Sequence, residues 1–426
     1  MRLSVLLREG RTFASLRRHR NFRLYTIGQA VSSAGGWGQA AALSWVVLGI
    51  THSALALGVL GVWTFGPYVA LGLFGGVIVD RFDRRRTLLV TQTASLALAV
   101  ALAVATWNGA ASLWLLYALS AVDGLIQAVN MPAELAFVPQ MVGTDDLTNA
   151  IGLNSAVFDA TRIVGPAVAG ALIAVGGVRL VFALNGLTYL MMLGALLLMR
   201  PAELQRSTAP LERRVSPVRD LVEGFHYAWR TSAVRAQVLM VVVMATLTFN
   251  ATLWMTVLAG QTLHAGPQVY GIITASFAAG AMLGALAVAT RGRATWPLLL
   301  ASLGGLTISL ALLAPQRALW LIMLALVFAG AMRTAFMAIS AVLVQLATPS
   351  HLQGRIMGFY NYALTATATA TGPLVGWLTL VGGVTLAIGL AAGVNALLWG
   401  GGLAWYLRRG RLTTAHPAET GERVML

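Results

Sequence analysis

Residues 24–79 read LYTIGQAVSSAGGWGQAAALSWVVLGITHSALALGVLGVWTFGPYVALGLFGGVIV, without an Asp, Glu, Lys or Arg anywhere between Arg23 and Asp80. A helix needs about 20 predominantly apolar residues to cross the hydrocarbon core of a bilayer. The stretch therefore holds two crossings joined at Thr51-His52-Ser53. The rest of the chain continues in kind: of 426 residues, 58% are hydrophobic and 10% charged, at a mean hydropathy of +0.77. Soluble domains carry about 25% charged residues, so an ordinary soluble enzyme, a disordered chain and a coiled coil are excluded. Apolar helices are expected at 24–49, 55–79, 87–106, 112–134, 150–175, 180–199, 236–259, 268–290, 295–314, 318–346, 356–380 and 384–407.

The charge pattern gives an independent test. The net charge is +15 and every basic residue is arginine. With the N-terminus inside, 25 of the 29 arginines fall on cytoplasmic segments, Arg179 and Arg317 fall outside, and Arg162 and Arg333 fall within spans. That asymmetry follows the positive-inside rule. It accounts for the basic charge by topology, so no nucleic-acid partner is expected, and membrane lipids are. The loop at Asp145 and Asp146 departs from the rule, since it should be cytoplasmic yet carries no arginine. There is no cysteine, and the histidines at 19, 52, 226, 264, 351 and 416 lack ligand spacing, so neither a metal nor another cofactor is expected. Residues 1–21 are basic without an apolar h-region and read as a retained cytoplasmic arm.

The expected organisation is an arm at 1–23, a six-helix bundle at 24–199, a cytoplasmic central loop at 200–235, a second six-helix bundle at 236–407 and a tail at 408–426. Internal repetition supports two related halves. Gln140 to Leu147 followed by Gly165-Pro166 and Gly170 is echoed by Gln345 to Leu352 followed by Gly372-Pro373 and Gly376.

After the second span the chain reads Gly76-Val-Ile-Val-Asp80-Arg81-Phe-Asp83-Arg84-Arg85-Arg86. It resembles the major facilitator superfamily, whose signature between helices two and three is G-x-x-x-D-R-x-x-R-R, with Gly76, Asp80, Arg81, Arg84 and Arg85 in register. The resemblance implies an all-α membrane fold of twelve helices in two halves, both termini cytoplasmic, and a cytoplasmic latch at this loop. Gly35-Gly36-Trp37-Gly38-Gln39 and Gly165-Pro166-Ala-Val-Ala-Gly170, a shortened antiporter G-P-x-x-G motif, resemble the branch containing siderophore and macrolide efflux proteins. The family's R-x-x-Q-G element in span four is absent: Ser120 and Asp123 occupy its Arg and Gln places before Gly124.

Polar residues fall on single helix faces: Ser120, Asp123, Gln127, Asn130 and Glu134 in span four, Gln29, Ser32, Gly36 and Gln39 in span one, Asn361, Thr365 and Thr369 in span eleven. Such a face looks onto protein or a water-filled cavity. A central aqueous path lined by Gln29, Trp37, Gln39, Gln127, Asn130, Asn250, Trp254, Arg333, Asn361 and Thr365 is expected, although packing is the stronger reading for any single Ser or Thr. No acid lies between Glu223 and Glu419, so a proton-carrying carboxylate must come from the first half: Asp123 or Asp159, and less readily Glu134. Asp159 is open between that role and an ion pair with Arg162 on the same face, and Asp123 between it and a hydrogen-bonded helix contact. Glu134 is expected to pair with the arginines of the 81–86 loop. Arg333 is expected to meet an anionic substrate or a partner acid.

The resulting expectation is a secondary exporter of an amphipathic small molecule in the cell membrane, exchanging it for protons by alternating access. A proton-coupled importer, a lipid-translocating relative and a non-transporting receptor or scaffold are the alternatives. No P-loop and no nucleophile–base set points to an enzyme.

Overall fold

Small polar residues set the first helix boundaries. Ser53, Asp83 and Ser112 each accept a bond from the backbone N–H three residues on, at 3.4, 2.9 and 3.4 Å, and so supply the acceptor an N-terminal turn lacks. His52, at φ 49°, closes the preceding helix by donating its N–H to the Leu48 carbonyl at 2.8 Å.

The computed structural model describes residues 14–143, 146–205, 217–248, 250–291, 293–349 and 352–415; the side chains at 73–78, 80, 148, 159, 163, 217–221 and 409–415 lie outside the description. The helices are α1 (Ala14–Arg18), α2 (Arg20–Thr51), α3 (Ala54–Arg81), α4 (Arg84–Trp107), α5 (Leu113–Val142), α6 (Leu147–Leu197), α7 (Pro217–Arg230), α8 (Ser232–Thr248), α9 (Ala251–Val257), α10 (Pro267–Arg291), α11 (Trp296–Leu313), α12 (Leu319–Leu346) and α13 (Gln353–Ala415). There is no strand among the described residues. Each expected span lies in helix apart from end residues, although the fourth runs on to Val142 and the twelfth to Ala415, and the seventh is interrupted at Asn250 and ends in a wide π-turn at Leu258–Thr262. The 200–235 segment, expected as loop, contains α7.

Nine of the described helices are long and apolar enough to cross a membrane. The 32-residue α2 is not among them, because its polar face (Gln29, Ser32, Ser33, Gln39) lowers its hydropathy. Two of the nine, α6 and α13, are each broken internally, at Gly177 (φ 74°, ψ 177°) and Gly383 (φ 69°, ψ 178°). Only glycine adopts that backbone freely. Both breaks sit in the same tetrapeptide, Val-Gly-Gly-Val, at 175–178 and 381–384, a repeat that the Gly-Pro echo did not include.

The chain divides into two compact units, Met1–Arg219 with Met255–Ala275, and Asp220–Trp254 with Ser276–Leu426. In the first, α2 lies against α6 so closely that a Cβ on Gly165 would strike the Ala34 carbonyl, and Gly38 faces Gly165 in return. Phe22, Tyr25, Leu88, Phe137, Met192 and Leu196 form a buried core at one end. Residues 255–275, which the sequence places in the second bundle, group here: Trp45 packs on Tyr270 at 5.8 Å, Gln261 donates to the His52 carbonyl at 2.8 Å, and the backbones of Gly170 and Gly271 touch.

In the second unit α10 and α12 cross through Gly280, Gly284 and Gly330; a Cβ on any of them would meet the Val327, Ala331 or Phe277 carbonyl. Such small-residue crossings replace the hydrophobic drive that helices lack inside a bilayer. The alternating Thr365-Ala-Thr-Ala-Thr-Ala-Thr371 run is helical, and each threonine hydroxyl donates to the carbonyl four residues back at 2.7–3.0 Å. Lipid offers no strand partner, so the backbone bonds locally despite the period of two. Large apolar side chains such as Trp114, Val175, Trp320 and Leu397 stand exposed, as a lipid-facing surface requires.

Candidate functional site

The polar face of α5 forms one hydrogen-bonded string. Gln127 Nε2 donates to Asp123 Oδ1 at 3.4 Å, Asn130 Nδ2 donates to Gln127 Oε1 at 3.4 Å, and Asn130 Nδ2 donates to Glu134 Oε1 at 2.7 Å. The i, i+3, i+4 spacing puts these side chains in a row on one side of the helix. The neighbouring α4 feeds the string: Thr91 Oγ1 and Gln92 Nε2 donate to Asn130 Oδ1 at 2.8 and 3.4 Å, and Ser32 of α2 donates to Gln92 Oε1 at 3.4 Å. Asp123 is half-buried beside the tightest approach of α3 and α5, where a Cβ on Gly124 would strike the Thr64 carbonyl.

Several residues expected to line a path are turned into the packing. Gln39 Oε1 accepts from Asn185 Nδ2 at 2.8 Å, Gln29 Nε2 donates to Ser33 Oγ at 3.0 Å, and Gln29, Gln39 and Asn130 are all buried. The Gln39 and Asn130 bonds join helices of the first unit, the other option open to a polar membrane face, while the Gln29 bond stays within α2. Trp254 is 4% exposed and packed. Asn250 Nδ2 donates to the Ala368 carbonyl at 3.2 Å and Thr371 Oγ1 at 3.4 Å, tying the break before α9 to α13. Arg333 lies over the Phe277 ring at 5.9 Å, Asn361 is exposed and Thr365 half-buried. Trp37 contacts Phe158 edge-on at 6.1 Å and carries the Arg162 guanidinium over its face at 5.1 Å. The cation–π contact is a partner for Arg162 that spacing alone could not show. The Asp159 side chain lies outside the described residues.

In the 76–86 segment, which spans the end of α3 and the start of α4, the surroundings of Gly76 and the Asp80 side chain also lie outside the description. Arg81 is exposed and Arg84 half-buried. Arg85 donates from Nε to the Leu196 carbonyl at 2.9 Å and from Nη2 to the Leu197 carbonyl at 3.3 Å. The expected pairing of Glu134 with these arginines is therefore corrected. Arg85 caps the C-terminus of α6, where unsatisfied carbonyls and the helix dipole favour a cation, and Glu134 takes the Asn130 amide.

The arginine-free loop before α6 has its explanation in the N-terminal arm. Asp146 accepts from His19 Nε2 at 2.9 Å and Arg18 Nη1 at 3.3 Å, and Ser15 Oγ donates to Asn149 at 2.6 Å. The His19 hydrogen bond, with Arg18 adding its charge, holds the Asp146 carboxyl below the usual carboxylate range. Asn21 exchanges two 3.0 Å bonds with the Arg200 backbone at the far end of the same unit's sequence. Contacts across such separations leave no periodic signal. No cluster of His, Asp and Glu able to hold a metal occurs among the described residues.

The profile of a family described as transmembrane secretion effector matches residues 11–419. The staphyloferrin A transporter of Staphylococcus aureus (strain NCTC 8325 / PS 47) is 26% identical over 258 residues, 59% of this chain and 62% of that protein, so the match spans just under two thirds of that relative. The enterobactin exporter EntS of Escherichia coli O1:K1 / APEC is 27% identical over 329 residues, 76% of each chain. In fold, the chain is similar to the crystal structure of the nucleoside transporter NupG, at a TM-score of 0.72 and 11% identity over 91% of this chain and 99% of that one.

Proposed function

The chain belongs to the transmembrane secretion effector family of major facilitator transporters, a multi-pass membrane protein and not an enzyme, and from that membership we propose that it is a secondary exporter of an amphipathic organic compound of the siderophore or drug type, driven by protons moving inward in exchange. Export rests on the relative named as an enterobactin exporter, and the substrate class on that protein and the staphyloferrin A transporter. Twelve crossings are supported by α6 and α13 each splitting at a positive-φ glycine, and by the length of α2 beside the seven other spans, of which 232–262 is interrupted at Asn250. The arginine asymmetry supports cytoplasmic termini, an inside loop at 200–235 and bundles at 24–199 and 236–407.

One observation carries the proton reading: Asp123 is a half-buried carboxylate midway along a membrane helix, at the head of a string that ends in a second carboxylate, Glu134. A charge at that depth costs at least ~2.5 kcal/mol on insertion scales, so the site favours an acid that gains and loses a proton over a permanent ion. Asp159 and Arg162 are a second proton-linked pair in this reading, Asp80 with Arg81, Arg84 and Arg85 a cytoplasmic latch, Gly165-Pro166 and Gly170 the hinge of helix five, and Trp37, Gln127, Arg333, Asn361 and Thr365 contacts for the substrate in passage.

Proteoliposomes loaded with a pH-sensitive dye and given catecholate and carboxylate siderophores and amphipathic cations test this directly. Substrate-dependent proton flux should appear in the wild type and be lost in Asp123→Asn, which keeps the shape and the Gln127 bond. Substrate movement indifferent to an imposed pH gradient, and equal in the two proteins, refutes the coupling.

A further inference from the structure

The helix α7, Pro217-Val-Arg-Asp-Leu-Val-Glu-Gly-Phe-His-Tyr-Ala-Trp-Arg230, has its apolar residues at 218, 221, 222, 225 and 229, a single stripe. In most proteins such a stripe faces the core. Here the opposite side docks. Gly224 lies against the Arg355 carbonyl and Phe359 of α13, Ala228 is 2% exposed, Tyr227 donates to the Ala347 carbonyl at 3.2 Å, and Glu223 forms an ion pair with Arg355. At 3.6 residues per turn, the side carrying 223, 224, 227 and 228 is roughly opposite the side carrying 222, 225 and 229. That outer side is largely exposed: Val222, Phe225 and Trp229 are 57%, 47% and 53% exposed, Phe225 and Trp229 are stacked at 5.6 Å, and Phe225 alone also reaches α13, edge-on to Phe359 at 5.7 Å.

The chain and the charges identify what covers it. One residue, Thr231, separates α7 from α8, which opens a membrane-crossing segment, so α7 cannot stand far from the bilayer surface. Arg230 and Arg235 are exposed beside the aromatic pair, and Arg235 Nη1 donates to the Trp229 carbonyl at 3.2 Å, which fixes it at the end of the stripe. Tryptophan and arginine together at this depth match the apolar–anionic boundary of a phospholipid layer.

We propose that α7 is a membrane-docking helix: Val222, Phe225 and Trp229 insert at the acyl boundary while Arg230 and Arg235 engage the phosphates of anionic phospholipids. Glu223, Gly224, Tyr227 and Ala228 clamp the helix to the second unit, so lipid composition is read directly by that unit. Near an anionic surface each arginine contributes about fivefold to partitioning.

The natural chain has no cysteine, so single labels report cleanly. The full chain carrying a nitroxide at Val222→Cys, which keeps both aromatics, or at Glu203→Cys as an aqueous reference, is placed in nanodiscs of phosphatidylcholine with and without one-third phosphatidylglycerol. The 222 label should become accessible to oxygen and shielded from a water-soluble nickel chelate, more so with phosphatidylglycerol. Arg230→Gln with Arg235→Gln should reduce that lipid effect by about 25-fold, and millimolar inorganic phosphate should leave it unchanged. A 222 label as water-accessible as the 203 label in both lipids overturns the proposal. Burial equal in both lipids, burial abolished by free phosphate, or spin–spin broadening between two copies also overturns it.

Discussion

Replacing Asn130 with alanine removes the junction of the α5 string. Four bonds vanish together: those from Thr91 (2.8 Å) and Gln92 (3.4 Å), and those to Gln127 (3.4 Å) and Glu134 (2.7 Å). Thr91 keeps the Leu88 carbonyl at 3.1 Å, but Gln92 Nε2, Gln127 Oε1 and Glu134 Oε1 each lose a partner inside the bundle. Interhelical hydrogen bonds in membranes average about 0.6 kcal/mol, less than the ~1–3 kcal/mol of a group stranded in a dry core, because the unfolded helices also find partners. The two bonds from α4 give about 1.2 kcal/mol at that average and the two within α5 about 0.2–0.5 kcal/mol each, together about 2 kcal/mol of lost stability, with little packing loss, since Ala and Asn differ by one small buried amide. Unfolding in mixed micelles by SDS titration reads this. Thr91→Val alone should cost about 0.6 kcal/mol, and the double variant should cost less than the sum of the two, because both remove the same bond. If Asn130→Ala unfolds within 0.5 kcal/mol of wild type, or the double variant is simply additive, the string is a set of independent weak contacts and the reasoning fails.

Gly280→Leu should lower stability in the same assay by ~1–3 kcal/mol or more, because any Cβ there falls on the Val327 carbonyl and forces α10 from α12; an unchanged midpoint would show the crossing to be loose. Asp146, whose native carboxyl is held below its ordinary value near 3.8, contributes stability fully above that ordinary value and loses it as pH falls through the lower native value. Asp146→Asn should therefore flatten the acid limb of the stability profile below about pH 4, and equal acid limbs in the two proteins would remove the clasp from the account.

The helices were legible because an apolar run of span length has one stable solution in lipid, and the arginine asymmetry set the expected sidedness without any contact being known. The row from Asp123 to Glu134 was legible for a similar reason, since helical spacing within one segment needs no tertiary knowledge. What filled the row was not. Thr91 and Gln92 reach Asn130 only through the register of α4 on α5, and Arg85 meets Leu196 across more than a hundred residues. Charge bias read Arg85 as a topology signal and a partner for Glu134, while the free carbonyls ending α6 competed for it and won. The amphipathic α7 was hidden differently. Its stripe is present in the sequence, but it is only 14 residues long and follows a proline- and arginine-rich segment that reads as loop.

The donor and acceptor count along α5 explains how an acid here differs from one buried alone. Both ends of the string are carboxylates that accept; Gln127 donates to Asp123, and Asn130 donates to both Glu134 and Gln127, so the Asn130 carbonyl is supplied from α4. With both acids ionised each of these bonds is made. A proton on Asp123 adds an O–H donor on one carboxyl oxygen while the other still accepts from Gln127. In the proposed reading, Asp123 therefore gains and loses its proton with the string to Glu134 still joined. The halves share a scaffold, down to the Val-Gly-Gly-Val breaks, yet no acid lies between Glu223 and Glu419. In the proposed reading, a duplicated frame with its glycine breaks in both copies and its carboxylates in one takes up the proton in the first half.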